Sequence, residues 1–295
     1  MIVAGLVVIA ACTHAPAPGA SSALNDDAIA IGSFDFPESE LVAELYAQAL
    51  EHAGFRVHRV FGIGPRELVM PALQRGLLEV IPEYEGSALA FLGGRPTADA
   101  AATSAALIGA LEGRGLEALD PAPAEDRNAF VMTAAAAGRL GVRSLSDLRP
   151  DARRLRFGGP PECVNRPLCL GGLREVYGLR FASFTPLDAG GPVTLQALRE
   201  GFVDVGLLFS TDAALAGHEF VQLDDDRDLE PAENVVPVLR SEVETRFGSR
   251  AIDALDAVSS TLTTSALRRM NAAVADGTPT ASVAALWLTE HPGSG

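Results

Sequence analysis

Two cysteines lie close together in the segment Pro160-Pro-Glu-Cys-Val-Asn-Arg-Pro-Leu-Cys169. Two thiols at this spacing can close a small disulfide loop or contribute to a metal site. A metal site would need further ligands nearby, and the five histidines are scattered along the chain. The spacing therefore favours a disulfide between Cys163 and Cys169, of the kind that persists in exported proteins.

The third cysteine, Cys12, follows a short apolar run over residues 1–11. The run is too short to cross a bilayer, which needs about 20 residues, and it is typical of an export signal. Ile9-Ala-Ala-Cys12 resembles a bacterial lipobox, in which the cysteine is lipidated and becomes the mature N-terminus. We therefore predict that residues 1–27 form a signal and tether, and that lipid on Cys12 anchors the protein outside the cytoplasm. An ordinary cleaved signal, in which Cys12 has no role, is the alternative.

The sequence contains no recognised catalytic or cofactor-binding motif. A Gly-x-Ser-x-Gly elbow, a Walker loop, His-Glu-x-x-His and Cys-x-x-Cys are all absent. Gly62-Ile-Gly64 is followed by Pro65, which favours a strand–helix turn over a nucleotide loop, and Asp224-Asp-Asp226 indicates a solvated acidic loop. We therefore expect a protein that is not an enzyme and that holds no metal or cofactor.

The charge balance argues against a nucleic-acid partner. The chain has 38 acidic and 23 basic residues, which gives a formal net charge of −15 and a pI near 4.7. Proteins that bind nucleic acid instead present a basic face to the phosphates. A hydrophobic content of 48% with 21% charged residues is typical of globular proteins, and the length suits two lobes.

Predicted strands and helices alternate along the chain, which indicates layered α/β architecture. A helix begins at Pro37, because proline suits the first helical position. A second α/β series follows the break at Pro121-Ala-Pro123, and residues 241–290 are predicted to be helical. The predicted strands cover 28–31, 55–61, 77–81, 128–133, 154–158, 179–184, 203–208 and 235–239. The other predicted helices cover 65–75, 97–113, 145–149, 167–177 and 192–200.

Five segments carry a resemblance to a known family. They are 32–50, which starts Gly-Ser-Phe-Asp-Phe-Pro-Glu; 64–76, which starts Gly-Pro-Arg-Glu-Leu-Val; 82–89, Pro-Glu-Tyr-Glu-Gly-Ser-Ala-Leu; 188–212, which starts Asp-Ala-Gly-Gly-Pro; and 231–240, Pro-Ala-Glu-Asn-Val-Val-Pro-Val-Leu-Arg. In this order they resemble the glycine betaine/carnitine/choline-binding proteins of ABC transporters, the ProX-like osmoprotectant family. The likeness covers about residues 28–290.

The resemblance implies a bilobal α/β fold of the periplasmic-binding-protein type II class, with two lobes joined by two crossovers. Residues 28–126 and 233–295 would form lobe 1, and residues 127–232 would form lobe 2. The ligand would lie in the cleft between the lobes, which close about a hinge. The chain would capture a betaine-like ligand and deliver it to an ABC permease in the membrane. We expect it to be a monomer.

The family also implies how the ligand is held. A quaternary ammonium has no N–H to donate, so aromatic faces are its best partners. Tyr84 resembles a tyrosine of the family's aromatic cage, Phe130 and Phe209 fall at further cage positions, and Arg166 resembles an arginine that pairs with a carboxylate tail. The predicted ligand contacts are Ser33, Phe34, Tyr84, Ser87, Asn128, Phe130, Arg166 and Phe209.

Four alternatives stay open at this point. Core packing explains Phe130 and Phe209 equally well, and Arg166 could instead pair with Glu162 on the surface. Phenylalanine replaces tyrosine in the predicted cage, and the chain has only three tyrosines. The pocket would then be more apolar than a betaine cage, which suits a bulkier or aromatic ligand. A sensor that binds the same solutes is a further alternative.

Overall fold

The structure of the chain, a computed structural model, describes residues 27–292. Within this range the strands form two five-stranded sheets, and each sheet with its covering helices is referred to as a lobe. No helix in the same range combines the length and the apolar character needed to cross a bilayer. The predicted lipid site at Cys12 lies outside the described residues.

The elements alternate along most of the chain, as predicted. The strands are β1 (Ala28–Gly32), β2 (Arg56–Val60), β3 (Val80–Tyr84), β4 (Leu116–Ala118), β5 (Asn128–Thr133), β6 (Arg156–Gly159), β7 (Ser183–Pro186), β8 (Val205–Phe209), β9 (Phe220–Gln222) and β10 (Val235–Arg240). The helices are α1 (Pro37–His52), α2 (Arg66–Gln74), α3 (Glu85–Phe91), α4 (Ala100–Leu111), α5 (Ala134–Leu140), α6 (Gly172–Val176), α7 (Pro192–Arg199), α8 (Val243–Phe247), α9 (Ser249–Thr261), α10 (Thr264–Ala275) and α11 (Thr280–Glu290).

The sheet of the first lobe has the order β2-β1-β3-β10-β4. Strand β1 runs parallel to β2 and β3, whereas β10 runs antiparallel to β3 and β4. Helix α1 begins at Pro37 and is buried along most of its length, because α9 and α11 pack against it. The C-terminal helices therefore return to cover the sheet that starts the chain.

The sheet of the second lobe has the order β7-β6-β8-β5-β9. Strand β6 runs parallel to β7 and β8, and β5 runs antiparallel to β8 and β9. Apolar side chains are buried on both faces, around Phe157 and Leu173 on one and around Leu198 and Leu208 on the other. Packing on both faces therefore fixes the position of the sheet, and the carboxyl ends of the parallel strands β6 and β8 lie together at one of its edges.

Two crossovers, 119–127 and 223–234, connect the lobes and are bonded to each other. Glu125 and Asn234 form an antiparallel bridge, the Asp126 N–H donates to the Glu233 carbonyl at 3.0 Å, and the Val235 N–H donates to the Ala124 carbonyl at 2.9 Å. The two connections between the lobes therefore lie side by side, at the position where this type of fold places its hinge. The lobe boundaries predicted at 126/127 and 232/233 fall within these segments and stay a prediction.

The predicted disulfide between Cys163 and Cys169 is present, with a Cα–Cα distance of 5.2 Å. It closes a loop that contains a 3-10 turn at Pro161–Val164 and a π-helical turn at Pro167–Gly171. Both sulfurs belong to the core of the second lobe. The loop therefore has a fixed shape where it follows β6.

Replacing Cys163 and Cys169 together by serine should lower the free energy of unfolding by about 2 kcal/mol, because the bond closes only a short loop in the unfolded chain. Urea denaturation of the oxidised protein and the double variant measures the difference. Wild-type protein kept reduced should unfold like the variant. Equal stability of reduced and oxidised wild type would contradict a structural role for the bond.

Candidate functional site

A cavity of about 230 Å³ opens between the two lobes. Its walls come from the segment after β1, from the end of β3, and from the ends of β6, β7 and β8 with the segments that follow them. These are the carboxyl ends of parallel strands, where α/β sheets typically bind ligands. A second cavity of about 260 Å³ adjoins the first, and the disulfide loop forms part of its wall. The residues that line both are Arg66, Ser87, Asn128, Pro160, Arg166 and Leu207.

Aromatic rings from both lobes line the first cavity. Tyr84 ends β3 and Phe209 ends β8, and both line the cavity; their contact with ligand stays a prediction. Phe36 lies between them, with its ring centroid 6.0 Å from that of Tyr84 and 4.9 Å from that of Phe209. The sequence did not single out Phe36. Its position directly before α1, at the carboxyl end of β1, is the signal that could have revealed it.

Phe34 and Ser33 lie in the same segment but differ in their access to the cavity. Phe34 lines the cavity, but its ring stacks on Phe36 at 5.9 Å and the Arg66 guanidinium carbon lies 5.0 Å from its centroid. A protein cation therefore already faces this ring. Ser33 is fully buried and lies outside the lining, because its hydroxyl donates to the Phe34 carbonyl and accepts from the Gly62 N–H, each at 2.9 Å. Ser33 shapes the loop, which corrects its predicted contact with ligand.

Phe130 does not reach the cavity, which corrects its predicted place in the cage. Its side chain is 2% exposed and its ring packs against Phe157, with centroids 6.1 Å apart. Residues two apart on a strand share a face. Phe130 therefore lies on the same face of β5 as Asn128 but further from the end of the strand. Only Asn128, at the strand end, lines the cavity. Phe130 is a core residue of the second lobe.

Glu38, in the first turn of α1, ties Tyr84 to the second lobe. The Tyr84 phenol donates to Glu38 Oε1 at 3.0 Å. Asn271 Nδ2 donates to Glu38 Oε2 at 2.6 Å, and the Thr211 hydroxyl, which follows β8, donates to the same oxygen. Burial, together with the Glu38 charge, raises the pKa of Tyr84 well above its usual value, so the phenol stays a neutral donor.

Asp126 is a buried carboxylate at the base of the cavity. It accepts hydrogen bonds from the Ser210 hydroxyl at 3.1 Å and from the Thr211 N–H at 3.0 Å. Burial, and then the nearby Glu38 charge, raise the pKa of Asp126 well above its usual value. A bound cation would favour the ionised form.

Glu233, in the second crossover, is another buried carboxylate of the lining. It accepts hydrogen bonds from the Ser87 N–H at 3.0 Å and the Ser87 hydroxyl at 2.7 Å. Burial raises the pKa of Glu233 to about 7, although the bonds from Ser87 and the charge of Arg66 act in the opposite direction. Ser87, a predicted ligand contact, lines the cavity, and its hydroxyl orients this carboxylate.

Asn128 also holds a carboxylate. Its Nδ2 donates to Glu230 Oε2 at 3.0 Å and to the Leu168 carbonyl at 2.9 Å. Burial, followed by the charge of Glu233, raises the pKa of Glu230 well above its usual value. Asn128 thereby joins the edge of β5 to the disulfide loop and to the second crossover.

The two arginines of the lining are each paired with a carboxylate of the first lobe. Arg66 donates through Nε and Nη2 to Glu83, both at 2.9 Å. Arg166, predicted to pair with a ligand carboxylate, lines the cleft, and its Nη2 donates to Glu67 Oε2 of α2 at 2.9 Å. The Arg166 pair therefore spans the two lobes, and Glu162 is not its partner.

The cavity is acidic beyond these two pairs. The carboxylates that line it are Asp35, Asp126, Glu162, Asp188 and Glu233. Such a lining attracts a cation, and the rings of Phe36, Tyr84 and Phe209 offer faces that suit a cation without N–H donors.

Comparison with known proteins identifies the family. The profile of the OpuAC family, described as the substrate binding domain of ABC-type glycine betaine transport systems, matches residues 27–290. The chain belongs to this family. A glycine-betaine-binding protein of Pseudomonas aeruginosa PAO1 is 31% identical to it over 296 residues, which cover 95% of this chain and 92% of that protein. The glycine betaine-binding protein YehZ of Escherichia coli K12 is 26% identical, and the match covers 97% and 96% of the two chains.

Solved structures share the fold of this OpuAC-family chain. A structure of a glycine betaine/carnitine/choline ABC transporter matches with a TM-score of 0.68 at 24% identity, over 90% of this chain and 100% of that one. Lactococcal OpuAC, closed and complexed with glycine betaine, matches with a TM-score of 0.67 at 13% identity, over 91% and 97% of the two chains. These matches confirm the predicted periplasmic-binding-protein type II fold.

The family is one of binding proteins and not of enzymes, as predicted. Its members are extracytoplasmic proteins that bind small ligands and act with a membrane permease. The lobed structure with a cleft beside a hinge agrees with this type of protein.

Proposed function

We propose that this chain is the binding subunit of an ABC importer for a quaternary-ammonium osmolyte of the glycine betaine class. The ammonium would lie against Phe36, Tyr84 and Phe209, and Asp126 and Glu233 would balance its charge. The observation that most supports this proposal is that rings from both lobes meet at an acidic cavity. The name of the Pseudomonas aeruginosa relative, a glycine-betaine-binding protein, points to the same ligand class.

The placement of the rings also suggests how binding favours a closed cleft. Phe36 and Tyr84 belong to the first lobe and Phe209 to the second, so a cation contacts all three only when the lobes are together. The ligand thereby stabilises the closed form through its differential affinity. The disulfide loop and the Arg166–Glu67 pair would cover the cleft from the side.

Isothermal titration calorimetry of the chain against glycine betaine, carnitine and choline tests the proposal. Saturable binding of at least one of them is the expected result. Binding of none at millimolar concentration would remove the osmolyte assignment, while the fold and the family would stand.

Replacing Glu67 by glutamine should raise the affinity for glycine betaine relative to choline by up to about fivefold. The change releases Arg166, whose planar guanidinium suits a ligand carboxylate. The Arg166–Glu67 ion pair is partly exposed, so its competition with the ligand carboxylate is worth about 0–1 kcal/mol. Calorimetry with both ligands gives the ratio. Glu112→Gln removes the same charge from an exposed position outside the cavities and should leave the ratio unchanged. A ratio that stays constant in Glu67→Gln would exclude Arg166 from carboxylate binding.

The proposal extends to the anchoring of the protein. Lipid on Cys12 would hold a monomeric chain at the outer face of the membrane, close to its permease. Metabolic labelling with a radioactive fatty acid should mark the wild type and leave Cys12→Ser unmarked. Light scattering of the soluble chain should give the mass of a monomer.

A further inference from the structure

A third cavity, of about 380 Å³, lies on the other side of the Phe36 and Phe209 rings. It shares only these two rings and Ala189 with the first cavity. Because the ring centroids are 4.9 Å apart, the two side chains are in contact and form the wall between the cavities. The third cavity is bounded by both lobes, since α10 lines it from the first and α7 from the second.

The surface of the third cavity is mostly apolar. Most of its polar groups are bonded within the protein: the Thr211 hydroxyl and Asn271 Nδ2 donate to Glu38, which also lines the cavity, and Asp212 Oδ1 accepts from the Ala214 N–H at 2.7 Å. The buried Asn271 Oδ1 has no hydrogen-bond partner among the described residues. The apolar side chains that line it include Pro37, Pro192, Leu195, Ala213, Val274 and Ala275. An apolar group would therefore be buried there without breaking the hydrogen bonds of Thr211, Asn271 Nδ2 and Asp212.

The wall between the two cavities consists of one ring from each lobe. Phe36 precedes α1 and Phe209 ends β8, so the gap between the rings widens whenever the lobes move apart. Phe209 rests directly on Gly190, where an added Cβ would lie 2.7 Å from the ring. Glycine at this position lets the Phe209 ring lie against the backbone and border both cavities.

We propose that the third cavity is a subsite for the alkyl chain of a ligand whose quaternary ammonium head lies in the first cavity. The proposal rests on the function proposed for the first cavity and extends it to ligands with an apolar substituent. The charged head is held on the side of Asp126 and Glu233, and the alkyl chain enters the apolar cavity past the Phe36 and Phe209 rings, which must separate from their present 4.9 Å centroid distance to admit it. Short osmolytes then use the first cavity alone.

Calorimetric titration with tetramethylammonium, butyltrimethylammonium and hexyltrimethylammonium tests the subsite. The wild-type affinity should increase with chain length by up to about fourfold for each methylene group that becomes buried. Leu195→Trp fills the subsite from α7, so its ratio of hexyl to methyl affinity should fall towards one. Val193→Trp is the matched control, because Val193 lies on the same helix, is 55% exposed and does not line the cavity. It should keep the wild-type ratio.

A second filling variant, Ala275→Leu, reduces the subsite from α10 and should also lower the ratio. It keeps the test valid if tryptophan at position 195 prevents folding. Binding of tetramethylammonium with no gain for longer chains would refute the subsite and leave the proposed function standing. Failure of every member of the series to bind would refute both. If both filling variants kept the full wild-type increase in affinity with alkyl-chain length, the alkyl chain of the ligand would lie elsewhere.

Discussion

Replacing Phe36 by leucine should lower the affinity for choline and glycine betaine by about tenfold. Leucine keeps an apolar side chain but removes the ring face, and each cation–ring contact is worth about 0.5–2 kcal/mol. It also removes the ring against which Tyr84 and Phe209 are placed. Calorimetry gives the affinity, and thermal unfolding shows whether the variant is folded.

Phe130→Leu is the matched control for this experiment. Phe130 is buried in the core of the second lobe and its ring lies outside the cavity. The substitution should lower the unfolding temperature by a few degrees, because a core change of this kind costs about 1 kcal/mol. The affinity should stay at the wild-type value. If Phe130→Leu weakened binding as strongly as Phe36→Leu did, the position of the cage would be wrong.

The affinity for choline should increase as the pH rises from about 6 to 8, because burial raises the pKa of Glu233 to about 7. Choline does not titrate in this range, and its cation prefers the ionised carboxylate. Below the pKa of Glu233, binding must displace a proton, which can weaken binding by up to about tenfold per pH unit. The raised pKa of Asp126 acts in the same direction. Calorimetry between pH 5.5 and 8.5 measures the profile.

Glu233→Gln is the control for this pH profile. It should weaken ligand binding but increase folding stability. Binding in the variant should be weaker at pH 8 and less dependent on pH. Without ligand, the folded protein holds the Glu233 proton more tightly than the unfolded chain does, so wild-type stability falls between about pH 4.5 and 7. The loss is on the order of 3 kcal/mol. Urea unfolding should show the variant gaining stability over the wild type across this range. Parallel profiles of the two proteins would contradict a titrating Glu233.

Local sequence patterns were sufficient to predict the main helices and strands of the first lobe. The apolar spacing after Pro37 gave α1, and the alternation of short strands with helices gave the layered fold. The strand predicted at 77–81 is Val80–Tyr84 instead, because the turn after Gly76 continues through Leu77, which is 56% exposed. Such end points depend on tertiary packing and are not fixed by propensity.

The second lobe shows where local patterns fail. The helix predicted at 167–177 is interrupted, because Cys169 has non-helical φ and ψ angles of −136° and −125°. The disulfide loop imposes this backbone, and the α-helix begins only at Gly172. The helix predicted at 145–149 is a single 3-10 turn at Ser146–Leu148.

The candidate site was predicted in part by resemblance, through Tyr84 and Phe209. The role of Glu38 was not, because its partners Thr211 and Asn271 are 173 and 233 residues away in the chain. Its place in the first turn of α1 explains a favourable charge at the helix terminus but reveals none of these partners. Contacts between residues so far apart in the chain depend on how the crossovers place the two lobes, which no local sequence pattern reveals.

The place of β10 has a consequence for biosynthesis. This strand lies between β3 and β4 in the first sheet, yet the whole second lobe is made before it. Until β10 leaves the ribosome or the translocation channel, β3 and β4 have open edges that can pair with other chains. The strands of the second lobe, β5 to β9, are consecutive in the chain, so this lobe can fold as a unit. The first sheet can therefore be completed only after the whole second lobe has been synthesised.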